Sequence, residues 1–194
     1  VVREASESFE NFDYAGALQI SEEMFWTFCD HYLELVKVRS YAEEDSEGRR
    51  SALATLAWSL KTFIRLFAPI LPYITDEIWS WTFAGAGKDA GSSVHVAAWP
   101  SLEEVLAVKF PPFSNSFDAA VEVIGQIRGA KTDAKKSLRW PVAELTITAS
   151  GPMLEALSAC LPDVLKAGNV TSHRLEQSSE ESSVITVKVV LADS

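Results

Sequence analysis

The chain has 194 residues, of which 47% are hydrophobic and 10% aromatic, so it can bury one sizeable core or two small ones and is not disordered. Its longest apolar run is far shorter than the roughly 20 residues that span a bilayer, and no N-terminal secretory signal is visible. The net charge of −10 is unevenly distributed: residues 1–105 carry net −9, residues 106–141 net +3 and residues 142–194 net −4. One basic segment in an acidic chain argues against indiscriminate binding to polyanions or membranes and allows locally steered binding.

The first half of the chain has the apolar spacing of amphipathic helices. Apolar residues recur at helical intervals over Ala15–Arg39 and again over Ser51–Phe67, where Lys61 and Arg65 fall on the opposite, polar side. These two segments are predicted to pack side by side, because helices joined by short connections form antiparallel bundles.

Two prolines then punctuate the sequence. Pro69 and Pro72 predict a bend, followed by a third helix over Tyr73–Phe83 with Asp76 and Glu77 at its positive N-terminal end. The connections after this helix are predicted to be a glycine-containing surface loop over 84–93, an extended segment over Val94–Pro100 and a junction marked by prolines 111 and 112.

The second half has a different pattern, in which helical and alternating segments follow one another. The predicted elements are a helix from Asn115 to about Ser137, a strand over Val142–Thr148, a helix over Gly151–Lys166 interrupted near Pro162, and a hairpin made of Asn169–Glu176 and Ser183–Leu191. The predicted fold class is therefore mainly α. An antiparallel helical bundle over residues 1–105 precedes a domain over residues 106–194, in which a basic helix joins a small α/β module with a three-stranded sheet.

The basic segment carries four cations at regular spacing. Arg128, Lys131, Lys135 and Arg139 are separated by three, four and four residues, which places them on one face if the helix continues to that point. A row of guanidinium and ammonium groups meets successive phosphates of a nucleic acid and releases its counterions. The competing interpretation is an ordinary solvated helix face.

Three further residues are candidates for RNA contact. Lys37 and Arg39 end the first predicted helix, where they either bind phosphate or complement the helix dipole. Trp140 follows the basic row and could stack on an unpaired base. The other tryptophans at helical spacing in apolar runs are predicted to be core residues: Trp26, Trp58 and Trp79.

No arrangement in the sequence predicts catalysis or metal binding. His31, His95 and His173 lie on three distant elements without neighbouring ligand motifs. Cys29 and Cys160 are predicted to be buried free thiols of a cytosolic protein. The adjacent carboxylates at 76 and 77 point about 100° apart on a helix, which does not suit an acid/base pair.

Four segments of the chain form a pattern that occurs in a known family. The segments are Phe28-Cys-Asp-His-Tyr-Leu-Glu-Leu-Val-Lys37, Leu66-Phe-Ala-Pro-Ile-Leu-Pro-Tyr-Ile-Thr-Asp-Glu-Ile-Trp79, Ser93-Val-His with Trp99-Pro100, and Ile127-Arg-Gly-Ala-Lys-Thr-Asp-Ala-Lys-Lys-Ser-Leu-Arg139. In this order they resemble the anticodon-binding region of class I aminoacyl-tRNA synthetases, and most closely that of the valyl-tRNA synthetase family. Isoleucyl- and leucyl-tRNA synthetases share the bundle and the proline bend, whereas the Phe-Cys-Asp spacing favours the valyl family.

The resemblance implies recognition of the anticodon stem and loop of valine tRNA, in a cytoplasmic, monomeric ligase that uses ATP with magnesium. The catalytic half and its signature loops are not in this sequence, so the chain alone is expected to be inactive and to hold no cofactor. The sequence begins Val-Val-Arg without methionine, and the first helix of the anticodon domain is expected upstream. The expected partners are the tRNA and the rest of the synthetase, not a membrane. The alternatives are the equivalent isoleucyl region or a free-standing helical interaction module without an RNA ligand.

Overall fold

A computed structural model describes residues 1–85, 92–108, 113–178 and 184–193. The contacts group the chain into two compact units, Val1–Asp30 with Glu44–Lys109, and His31–Glu43 with Phe110–Ser194. The segment 31–43 therefore contributes to the second unit, although its helical pattern continues that of the preceding residues. The predicted domains, 1–105 and 106–194, stay a prediction.

The mainly α fold class is confirmed, and the helical bundle and the sheet fall in different units. A π-helical segment, Phe28–Tyr32, interrupts the first long predicted helix. A further helix, Val2–Glu10, lies before that predicted helix and was not predicted. The described helices are α1 (Val2–Glu10), α2 (Tyr14–Thr27), α3 (Leu33–Ser40), α4 (Glu47–Phe67), α5 (Pro72–Thr82), α6 (Leu102–Leu106), α7 (Ser116–Asp133), α8 (Gly151–Ser158) and α9 (Leu161–Ala167).

Aromatic packing holds the first unit together. Phe25 on α2 meets Phe63 and Phe67 of α4 edge-on, with ring centroids 5.5 and 5.7 Å apart. Trp79 of α5 is fully buried beside α4, which confirms its predicted core position. Edge-to-face aromatic pairs add to the free energy of burial, so α4 is fixed against α2 by one apolar cluster and against α5 by another.

Two residues of the first unit are placed differently from their predictions. Arg65 was predicted on the polar side of α4 but is only 6% exposed, because Glu104 accepts two hydrogen bonds from its guanidinium at 2.8 and 3.3 Å. The carbonyl of Ala98 accepts a further one at 3.2 Å. Trp26 was predicted to be a core residue and is 55% exposed, whereas Trp58 is half-buried.

Asp76 anchors the chain that returns to α5. The third helix, predicted over Tyr73–Phe83, is α5 at Pro72–Thr82, so Asp76 and Glu77 follow its first turn and do not lie within it. The Asp76 carboxylate accepts hydrogen bonds from Ser93 Oγ at 2.5 Å and from the Val94 amide at 3.1 Å. These bonds hold the pKa of Asp76 below its ordinary value.

Two predicted connections fall mainly or wholly outside the described residues. Most of the predicted loop at 84–93 lies outside the described residues, and the proline junction at 111–112 lies wholly outside them. Within Val94–Pro100, predicted to be extended, the residues Val94–Val96 form a 3-10 turn before the chain extends.

The second unit contains a mixed three-stranded sheet in the order β2-β1-β3. The strands are β1 (Val142–Ala149), β2 (Val170–Gln177) and β3 (Thr186–Leu191). The predicted hairpin of the last two strands is wrong, because β1 lies between them, parallel to β2 and antiparallel to β3. Leu145 at the centre of β1 pairs with both His173 and Val189 and is fully buried. β1 takes the middle position because it offers fully buried apolar side chains, whereas almost all of β2 is exposed.

Helix α7 packs its apolar face on this sheet unit. Val123, Ile124 and Ile127 are buried in the same cluster as Leu145 of β1 and Leu35 of α3. The crossover through α8 and α9 returns the chain to the start of β2, near the C-terminal end of α7. The packing thus brings α3, α7, α9 and the chain after α7 around one surface of the second unit.

Candidate nucleic-acid interface

A cleft of about 470 Å³ lies within the second unit, between α3, α7 and the turn that joins α9 to β2. Five cations and one carboxylate line it, so the cleft is strongly positive in a chain of net charge −10. Because walls of low dielectric focus the field of such a cluster, the cleft attracts anions. The charged lining residues are Glu34, Lys37, Arg128, Lys131, Arg139 and Lys166.

The predicted basic row is broken by the end of α7. The helix stops at Asp133, and Lys135 adopts a left-handed backbone conformation with φ of 55°. The Lys136 amide donates to Lys131 O at 2.9 Å, and the Lys135 amide donates to Thr132 O, also at 2.9 Å. This bond pair is the Schellman closure of a helix, with lysine where glycine is usual. The prediction that Lys135 and Arg139 share the helix face of Arg128 and Lys131 is therefore wrong.

Lys131 is a buried residue. Its side chain is 1% exposed, and its ammonium donates to Leu138 O at 2.9 Å and to Gly168 O at 2.8 Å. Burial, and to a smaller extent the nearby Arg128 guanidinium, lower the pKa of Lys131. Lys131 was predicted to face RNA from an exposed basic row, and the exposed position is wrong, because two of its N–H donors join two buried segments of the fold.

Arg139 comes to the cleft by way of the segment 134–141, which follows α7. Its side chain is exposed, and its carbonyl accepts a hydrogen bond from Asn169 Nδ2 at 2.8 Å. Lys166 reaches the cleft from the last turn of α9 and was not predicted. Its sequence position before Gly168 indicates only a helix end. Lys166 lines the cleft because the strand order brings the turn between α9 and β2 beside the C-terminal end of α7.

The two candidates on α3 have different surroundings. Lys37 lines the cleft and lies 3.1 Å from Glu34, and both side chains are exposed, so this ion pair contributes little to stability. Arg39 Nε lies 3.0 Å from Asp163 Oδ2, and both side chains are partly buried. Burial raises the pKa of Asp163, while Arg39 and then Lys166 oppose that rise. Arg39 thus connects α3 to α9 and is not among the residues that line the cleft.

Trp140 and Lys135 are close in sequence to residues that line the cleft, but they do not line it themselves. Trp140 is half-buried, donates from Nε1 to Ala192 O at 3.0 Å, and carries Lys136 Nζ 3.9 Å from its ring centroid. One face of the indole is thus already covered by a cation. A stacking role for Trp140 and a phosphate contact by Lys135 stay predictions.

Within the described ranges, no group of three or more His, Cys, Asp or Glu side chains is placed to hold a metal ion. Among the helices described in those ranges, none combines the length and apolar character that crossing a bilayer requires. Cys160 is half-buried, and its thiol donates to Ser116 O and Leu157 O, both at 3.3 Å. Burial, followed by the charge of Asp163, raises the pKa of this thiol to about 11.

Fold and site together define a mainly α module that presents a basic cleft on a small α/β unit. The chain belongs to the family described as the anticodon-binding domain of tRNA ligases, whose family model matches residues 1–147. Lys166 and the turn that follows it lie beyond that match.

The resemblance to the valyl-tRNA synthetase family is confirmed by sequence comparison. The chain is 40% identical to a valine–tRNA ligase of Salinispora tropica over 98% of its own length and 23% of the relative. It is 39% identical to one of Thermobifida fusca over 100% and 21%, and 38% identical to one of Bifidobacterium longum over 88% and 19%. The chain therefore spans about a fifth of the length of these curated relatives.

Proposed function

We propose that this chain is the part of a valine–tRNA ligase that binds the anticodon stem and loop of valine tRNA. The family match and the names of the relatives support the proposal. The whole protein activates valine with ATP and magnesium in a region outside this chain, and transfers it to tRNA in the cytoplasm. This chain contributes recognition and no chemistry, and the whole protein acts as a monomer.

The observation that carries the proposal is the basic cleft of the second unit. Lys37, Arg139 and Lys166 are exposed there, Arg128 is half-buried, and Lys131 adds its charge from below the surface. Phosphates of an RNA strand can approach the exposed groups directly, and the planar guanidinium of Arg139 can also stack on an unpaired base. The cleft concentrates positive charge in a chain whose net charge of −10 otherwise opposes the approach of a polyanion.

The experiment uses the full-length parent, meaning the whole valine–tRNA ligase to which this chain is proposed to belong. In it Lys37, Arg139 and Lys166 are all replaced by alanine. Each phosphate contact contributes about 0.7 to 0.9 to the slope of log K against log salt, so the variant should lose about two units of slope. Its affinity for valine tRNA should fall at low salt, whereas valine-dependent pyrophosphate exchange should keep its wild-type rate. Lys188→Ala, which removes an exposed cation of β3 that does not line the cleft, is the matched control.

Wild-type affinity and slope in the triple variant would overturn the proposal. Equal affinity of the wild-type parent for valine tRNA and an unrelated tRNA would leave only unspecific RNA binding, and a preference for isoleucine tRNA would point to the isoleucyl region instead. If only protein partners bind, the chain is an interaction module. Pyrophosphate exchange by the isolated chain would contradict its assignment as the non-catalytic part.

A further inference from the structure

Two consecutive carbonyl groups of the segment 134–141 are held by side chains from outside the segment. Lys131 Nζ donates to Leu138 O at 2.9 Å, and Asn169 Nδ2 donates to Arg139 O at 2.8 Å. Lys131 Nζ also donates to Gly168 O at 2.8 Å, next to Asn169 in the chain. The segment is thus tied to the turn between α9 and β2 at the residue that presents its guanidinium to the cleft.

The surroundings of these bonds show why they determine the position of Arg139. The segment lies between the end of α7 and the start of β1, and residues 138 and 139 belong to a turn and not to a strand or helix. Within that turn the Arg139 amide donates to Ser137 Oγ at 3.2 Å and the Trp140 amide to Ser137 O at 2.9 Å, so the Leu138 and Arg139 carbonyls are fixed from outside the segment. Backbone hydrogen bonds hold the turn to which it is tied: Asn169, with a left-handed φ of 51°, donates from its amide to Lys166 O at 3.1 Å, and its carbonyl accepts from the Val142 amide at 2.9 Å. A charged side chain on an irregular segment binds well only if its backbone is pre-organised by such contacts.

We infer that Lys131 and Asn169 are positioning residues for RNA binding, which act by fixing the peptide of Arg139 rather than by touching phosphate. The inference rests on the proposed function. It explains why a buried lysine lies beneath a basic cleft: two of its three N–H donors hold Leu138 O and Gly168 O, while its charge adds to the cleft from below. Asn169 has the same effect without any charge, which separates geometry from electrostatics.

The test is a set of double-mutant cycles on the full-length parent, measured as affinity for valine tRNA. Lys131→Met and Asn169→Gly each remove a hydrogen-bond donor, and glycine suits the positive φ of residue 169. Each should weaken binding by about fivefold in the wild-type background, the value of one hydrogen bond. In the Arg139→Ala background Asn169→Gly should change binding by less than about twofold, because the group it positions is gone. Lys131→Met should there keep only the part of its effect that comes from the lost charge.

The matched background is Lys37→Ala. This substitution removes a cation of the cleft that lies on α3 and not on the segment 134–141. In that background both substitutions should keep their fivefold effect. If Lys131→Met fails to fold, the Asn169→Gly cycle alone carries the test. Full-size effects of both variants in the Arg139→Ala background would overturn the inference, since the residues would then act on RNA independently of Arg139.

Hydrogen exchange of the free protein gives a readout that does not depend on RNA. Amides of residues 136–140 should exchange faster in both variants, while those of β1 stay protected. Unchanged exchange at 136–140 would overturn the inference whatever the binding result. The proposed function fails separately, if Arg139→Ala together with the other cleft substitutions leaves tRNA affinity intact; if they weaken it but show no coupling to residues 131 and 169, only the inference fails.

Discussion

Among the described residues, Arg65 in the first unit and Lys131 in the second are cations that are almost fully buried. The Glu104 carboxylate neutralises Arg65 through a two-bond ion pair. Lys131 donates only to backbone carbonyls, and no carboxylate in the described ranges lies within ion-pair distance of it. Both residues lie on helices whose apolar spacing predicted them to be solvated.

The difference teaches how a buried charge relates to a surface. The field of Arg65 is cancelled within a few ångströms, so its role is to close α4 against the chain around residues 98–104. Carbonyl groups carry dipoles and no net charge, so the positive charge of Lys131 remains and adds to that of Arg128 and Lys166 in the cleft. A buried cation is thus structural alone where a carboxylate pairs it, and structural and electrostatic where none does.

The largest expected effect is on the paired cation. Glu104→Gln leaves Arg65 buried without a counter-charge, which should lower the free energy of unfolding by about 2–3 kcal/mol, less than a fully buried pair because Glu104 is partly exposed. Arg65 holds the pKa of Glu104 below its ordinary 4.5, so the pair stabilises fully above that pH and less as pH falls through the lowered pKa. Urea unfolding should therefore show a difference in unfolding free energy between wild type and variant that narrows as the pH falls below 4.5.

Glu103→Gln is the matched control for this prediction, because Glu103 is the exposed neighbour on the same helix. Its free energy of unfolding should equal that of the wild type at pH 3 and at pH 7. A gap for Glu104→Gln that is equally large at pH 3 and pH 7 would show that lost packing, and not charge, causes the destabilisation.

The sequence predicted those parts of the fold in which a strong local pattern meets a strong burial requirement. The alternation at 142–148 and the apolar spacing of α7 recur in the structure because Leu145 and Ile127 are core residues. The order of the strands was not predictable from proximity. Almost all of β2 is exposed, so its side chains carry no pattern that could have shown that β1, and not β3, is its neighbour.

The candidate site was predictable as a set of charges and not as a geometry. Lys37, Arg128, Lys131 and Arg139 do line one cleft, whereas Arg39 is engaged elsewhere with a carboxylate. The burial of Lys131 depends on carbonyls that are 7 and 37 residues away in the chain, and no periodicity reports such partners. Sequence spacing therefore identifies which residues are basic together, while tertiary contacts decide which of them face the solvent.

The unpaired cation should show the opposite response to pH. Lys131→Met leaves the Leu138 and Gly168 carbonyls without their donor, which should lower the free energy of unfolding at pH 7 by about 1–2 kcal/mol. The pKa of Lys131 is lowered below 10.5 in the folded protein, so between that value and 10.5 the unfolded chain binds more protons and wild-type stability rises with pH. The gap between wild type and variant should hence widen from pH 7 to pH 10.

Lys188→Met, at an exposed position of β3, controls for the general loss of a lysine and should show no widening. If the gap of Lys131→Met stays constant or narrows toward pH 10, the buried ammonium is not paying a desolvation cost in the folded state. Lys131 would then resemble Arg65 more closely than the two sets of partners suggest.

The smallest expected effect concerns Lys135, the left-handed residue that follows the C-terminal end of α7. Lys135 adopts a φ of 55°, a conformation that costs a residue with a side chain about 1 kcal/mol relative to glycine. Lys135→Gly should therefore raise the free energy of unfolding by about 0.5–1 kcal/mol. Ala134→Gly, at a φ of −77°, is the matched control and should lower it slightly, because there glycine brings only added freedom in the unfolded chain.

The same variant decides whether Lys135 belongs with the cleft cations. Lys135 is exposed but does not line the cleft, so Lys135→Gly should leave the salt slope of tRNA binding by the full-length parent unchanged. A slope reduced by about 0.7 to 0.9 would mean that Lys135 also contacts RNA, as the sequence spacing predicted. Both measurements come from one substitution, and they can disagree: a stabilised variant with a reduced slope would show that the left-handed lysine is kept for binding at the expense of stability.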